Sequence, residues 1–82
     1  MERDGILIFH SIHKVMRAEK VLKTAGFDVR LMPVPRDLSS DCGLSLCFPF
    51  ERMQQVVEEL DADGCPAAEL HRLSAGRYDR IL

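Results

Sequence analysis

An α+β fold, a ferredoxin-like sandwich with two helices on one face of a four-stranded antiparallel sheet, is predicted by three observations on the sequence. Apolar or alternating short segments and segments with helical spacing follow one another in the order β-α-β-β-α-β. Right-handed crossovers fold that order into one sheet. The 82 residues carry no repeat and suffice for one core but not two, burying roughly 60% of the unfolded surface.

The run Gly-Ile-Leu-Ile-Phe at 5–9 is apolar and β-branched between polar neighbours, which marks a central strand covered on both faces. Ser11 is placed to cap the next helix, along which Ile12, Val15, Met16, Leu22 and Ala25 recur at helical spacing. His13, Lys14, Arg17, Lys20 and Lys23 turn outward, and Gly26 ends the helix. Val29, Leu31 and Pro33 alternate with Arg30 and Met32 as a second strand that the prolines of Pro-Val-Pro at 33–35 terminate. Leu44, Leu46 and Phe48 alternate with Ser45 and Cys47 as a third. Beyond Pro49, the spacing of Phe50, Met53, Val56, Val57 and Leu60 predicts an amphipathic helix stopping at Gly64. Ala68, Leu70 and Arg72 then alternate with Glu69 and His71 as the last strand. The domain thus spans 1–82, with its core at about 4–73. The tail at 74–82 has no clear period, so Tyr78, Ile81 and Leu82 either fold back over an apolar patch or join a partner.

Apolar residues at 46% and charged residues at 29% belong to a chain that folds rather than to a disordered one. The net charge of −2, with both signs mixed along the chain, argues against a nucleic-acid partner, which needs a basic face. The apolar run at 5–9 is far too short to cross a bilayer, and Met1 leads into Glu-Arg-Asp rather than a signal peptide. A cytoplasmic protein without membrane association is expected. Three cysteines, Cys42, Cys47 and Cys65, cannot all pair within one chain, and their spacing misses that of zinc sites. Neither a structural metal nor a cofactor is expected.

The candidate site is the loop at 33–43, centred on Cys42. It joins neighbouring strands with about nine residues where two to five would close a hairpin. The predicted topology places it at one sheet edge with the start of the first helix (His10, Ser11, His13) and the turn at 61–65. A helix N-terminus there favours a thiolate or another anion. Arg36 supplies a cation, Ser39 and Ser40 hydroxyls, and Gly43 either close backbone approach or a positive φ. The alternative is that proline and glycine only shape a turn, that Arg36 is solvated, and that Cys42 packs as a small apolar residue. Cys47 lies an odd number of positions from Cys42 and so faces the opposite side of the sheet, where a homodimer could cover it together with Met32. Cys65 either fills a gap at a helix end or serves as a resolving thiol. His13 is either an exposed helix residue or a hydrogen-bond partner for a ligand.

The stretch at 9–26, Phe-His-Ser-Ile-His-Lys-Val-Met-Arg-Ala-Glu-Lys-Val-Leu-Lys-Thr-Ala-Gly, followed by Leu-Met-Pro-Val-Pro-Arg-Asp-Leu-Ser-Ser-Asp-Cys-Gly-Leu at 31–44, resembles the selenium/sulfur carrier protein-like family. Its most specific parts are Pro-Val-Pro-Arg, Ser-Ser and Cys-Gly, with Ala-Glu-Lys at 18–20 as a second mark. The resemblance implies that Cys42 holds sulfur or selenium as a persulfide or selenosulfide, with Arg36, Ser39, Ser40 and Gly43 around it. Donor and acceptor proteins would be its partners. A persulfide is more acidic than a thiol, so Arg36 and a helix N-terminus would stabilise the loaded form. Cys47 and Cys65 are not part of the pattern. The competing expectations are a non-catalytic anion- or protein-binding module with a structural Cys42, and a reductase in which Cys65 pairs with Cys42.

Overall fold

Gly5–Ile8 forms β1, all four of its residues buried, as a strand covered on both sides must be. In this computed structural model, which describes residues 3–38 and 42–82, it is followed by α1 (Ile12–Thr24), β2 (Arg30–Pro33) and β3 (Leu44–Phe48). A 3-10 turn at Phe50–Arg52 then leads into α2 (Met53–Ala62), followed by β4 (Glu69–Ser74) and β5 (Arg77–Arg80). The strands form one antiparallel sheet in the order β2-β3-β1-β4-β5.

Side-chain alternation along the strands makes two layers. Leu7, Leu46 and Leu70 stand side by side in register and form one core with Phe9, Phe48, Val15, Ala18 and Leu22 of α1 and Val56 and Leu60 of α2. Both helices therefore cover the same face. On the other face Ile6, Ile8 and Cys47 are covered by the chain's own Met32, Val34, Leu38 and Tyr78.

Ser11 caps α1 as expected, its Oγ accepting the Lys14 N–H at 3.2 Å. At the other end Gly26 takes φ +91° while the Gly26 and Phe27 N–H groups donate to the Lys23 and Leu22 carbonyls, satisfying carbonyls that the helix leaves open. The buried stripe of α1 is Val15, Ala18 and Leu22. Ile12, Met16 and Ala25, expected on that stripe, are exposed instead. With 3.6 residues per turn, Ile12 and Met16 lie roughly a quarter turn or more round the helix from the centre of that stripe, and Ala25 is the C-cap beyond its last turn.

The sheet has five strands, not four. The tail folds back: Ala75 (φ 52°) and Gly76 (φ 77°) form a two-residue turn of left-handed residues, which matches the twist of a hairpin. Arg77–Arg80 pairs with β4, and Ile81 and Leu82 continue the pairing through backbone hydrogen bonds to Leu70. Arg-Tyr-Asp-Arg shows no apolar period because an edge strand needs one anchor, and here that anchor is Tyr78. Alanine in the left-handed region is strained by roughly 1 kcal/mol, which asparagine tolerates better. Ala75→Asn is therefore expected to raise stability by about 0.5–1 kcal/mol, read as a higher urea midpoint. An unchanged or lower midpoint would show that the turn carries no such strain.

Candidate functional site

The long loop starts as a continuation of the β2–β3 ladder. Beyond the Pro33–Leu44 pair, the Val34 N–H donates to the Gly43 carbonyl at 3.1 Å. From there its two limbs part. Val34 and Leu38 pack under the helix-free face, whereas Cys42 packs against the helix-side core. Arg36 and Asp37 are exposed in the turn between Val34 and Leu38, closed by the Leu38 N–H donating to the Pro35 carbonyl at 2.9 Å. Ser39 and Ser40 lie outside the described residues. Gly43 takes φ +75°, and a Cβ there would meet nothing within 4 Å. Of its two expected roles, backbone conformation is the one the geometry requires.

Cys42 is half-buried, and its thiol donates to the Leu44 carbonyl at 3.1 Å and lies 3.5 Å from the Phe9 carbonyl. Phe9 stands two residues before the Ser11 cap, so the sulfur sits where β1 turns into α1. The Ser11 hydroxyl is engaged in capping, and His13 is exposed on the first turn. Cys65, just beyond α2, places its sulfur 3.5 Å from the Lys14 carbonyl in that same turn. Arg17 joins the two helices through Asp63, with both guanidinium contacts at 3.0 Å. Cys42, the start of α1 and the turn after α2 thus meet at one end of the sheet. Arg36 and Cys42 belong to limbs of the loop that pack on opposite faces.

The three thiols differ in accessibility. Cys47 is 8% exposed and Cys65 6% exposed, and burial pushes both thiols above their ordinary value. For Cys65 the Asp63 carboxylate adds to that rise, while Arg17 and Lys14 oppose it. Buried thiols of this kind are poor nucleophiles. Cys42 is the least buried of the three.

On the helix-free face, a pair of side chains passed over by the sequence reading comes together. His71 is buried, with Nε2 2.8 Å from Glu69 Oε1. Its hydrogen bond, with help from Arg80, holds the Glu69 carboxyl below the usual carboxylate range. Their separation by two positions on a strand, which puts both on one face, is the sequence feature that could have revealed the pair.

A small α+β domain with one partly exposed loop cysteine beside the start of a helix is the class of protein this geometry defines. A family model described as "Putative Se/S carrier protein-like" matches residues 4–72, and the chain belongs to that family. It is similar to "Uncharacterized protein YtiA" of Escherichia coli (strain K12), at 36% identity over 61 residues, 71% of this chain and 72% of that protein. No solved structure matches. Among the described residues no helix is long and apolar enough to cross a membrane.

Proposed function

We propose that this protein carries one sulfur or selenium atom on Cys42, as a persulfide or selenosulfide, between a donor and an acceptor protein in the cytoplasm. The observation that carries the reading is the contrast among the cysteines. Cys47 and Cys65 are buried in opposite layers, while Cys42 is partly exposed on a loop that the family match covers. Loading needs no outside oxidant. The Cys42 thiolate attacks the outer chalcogen of a donor persulfide, a new bond forms to that atom, and the donor sulfur leaves as a thiolate. The hydrogen bond to the Leu44 carbonyl is given up as the sulfur is loaded, and the added atom turns toward solvent. Delivery is the same exchange in reverse, with an acceptor thiolate attacking. Gly43 and Ser11 are proposed to shape the backbone around Cys42 and His13 to offer a polar group from the first turn of α1, while Arg36, Ser39 and Ser40 are proposed as polar groups of the same loop that a partner meets. The order β2-β3-β1-β4 with both helices on one face supports reading the fold as a ferredoxin-like sandwich extended by one edge strand.

Protein purified from its native cells without reductant is expected to show, by intact mass spectrometry, an adduct of one sulfur or selenium atom that thiols remove. Cys42→Ser should lack it, while Cys47→Ser and Cys65→Ser retain it. Identical masses for wild type and Cys42→Ser would overturn the carrier reading. A second reading, a binding module in which Cys42 is structural, draws on the packing of Cys42 against the core and its hydrogen bond to Leu44. It predicts no adduct and a clear loss of stability in Cys42→Ser.

A further inference from the structure

The exposed part of α1 is unusual in two ways. Ile12 and Met16 are 41% and 47% exposed, and their spacing of four stacks them on one flank of the helix. Arg17 points the other way, into its ion pair with Asp63 at the C-terminal cap of α2, so the Ile12–Met16 flank faces away from α2. The helix also has four cations, Lys14, Arg17, Lys20 and Lys23, against one acid, Glu19, in a chain whose acids outnumber its bases by thirteen to eleven. Glu19 is already taken by Lys23 at 3.0 Å. Among the described residues Lys20, four positions after Met16 and so beside it on the helix, is exposed and forms no ion pair.

The flank adjoins the proposed site. The Cys42 sulfur lies 3.5 Å from the Phe9 carbonyl, and Ile12 begins the helix three residues later. A protein that exchanges an atom with Cys42 must bring its own sulfur to this place, and its surface then comes down over the first turns of α1. Two exposed apolar side chains, one an adaptable methionine, form the centre of a small contact, and Lys20, one turn on from Met16, puts a positive charge at its rim. A carrier has to release its partner after each transfer, which fits a contact at the small, transient end of the range.

We infer that the Ile12–Met16 flank of α1, with Lys20 at its rim, is the docking surface for the protein that loads Cys42. The partner's matching surface is acidic around an apolar centre. The inference rests on the carrier reading. The positive rim attracts an acidic protein over a distance that salt screens, so it acts mainly on the rate of encounter. Nucleic acid would also be drawn to the cations, but the exposed isoleucine and methionine favour a protein.

The test compares two donors. One is glutathione persulfide, which needs no docking. The other is a nuclease-treated extract of the native cells incubated with 35S-cysteine and then dialysed, so that the label left to reach Cys42 is held on macromolecules. Met16→Glu, Lys20→Glu and the double variant change exposed side chains, and unaltered urea midpoints confirm that they fold. The double variant is expected to be labelled by the extract about tenfold more slowly than wild type. Its loading by glutathione persulfide should be unchanged. Raising salt from about 50 to about 300 mM should slow the extract reaction of wild type and leave the small-donor reaction unaffected. Equal labelling of variant and wild type by the extract, loss of labelling on nuclease treatment, or labelling that survives only before dialysis would each overturn the docking surface and leave the carrier reading intact. Failure of both donors to load wild-type Cys42 overturns the carrier reading and the docking surface with it.

Discussion

Leu46→Ala is expected to lower stability by about 3 kcal/mol, within the range of roughly 2–5 for a leucine deleted from a packed core. Leu46 is 0% exposed in the middle of β3. It stands in register between Leu7 of β1 and Leu31 of β2, under both helices. Removing its side chain leaves a void that three neighbouring elements would have to close at once, and a sheet paired on both sides of the strand cannot move to do so. A domain of this size has only about 4–12 kcal/mol in total. The urea midpoint should fall steeply with little change in m. Leu73→Ala, at a residue 37% exposed, should cost less than about 1 kcal/mol. Similar losses at the two sites would show that the helix-side layer is not the main core.

Gly5→Ala is the second large effect, expected to destabilise by about 2–3 kcal/mol through overpacking rather than loss of contact. Gly5 pairs with Phe48, and a Cβ at position 5 would lie 2.5, 2.6 and 2.9 Å from three carbons of the Phe48 ring. The ring is itself 0% exposed, so it has no open side to swing toward. Phe48→Leu should partly rescue Gly5→Ala, because it removes the atoms that clash. The two substitutions are expected to couple by about 1 kcal/mol or more in a double-mutant cycle. Strict additivity would show that the strain lies in the backbone and not against the ring.

This pair also marks how far the sequence could be read. An apolar run at 5–9 announces a buried strand, yet nothing in it says that its first residue is glycine because a phenylalanine from 43 positions later lies across it. The same holds for the site. The proline-bounded length of the loop and its one cysteine could be read directly, and so could the placement of Cys42 and Cys47 on opposite faces, which follows from the period of two along a strand. The separation of Arg36 from Cys42 could not, because it depends on Val34 and Leu38 packing under the sheet while Cys42 packs above it.

By itself the sequence determined the order of the six elements from β1 to β4, their alternation, the Ser11 cap, the glycine helix stops and which cysteine belongs to the long loop. All of these follow from interactions within a few residues or from side-chain period. Only the tertiary structure decided that the tail becomes a fifth strand, that Ile12 and Met16 of α1 face outward, and that Glu69 and His71 pair beneath the sheet. Each of these turns on which distant surface is left to cover, a quantity that local spacing does not contain.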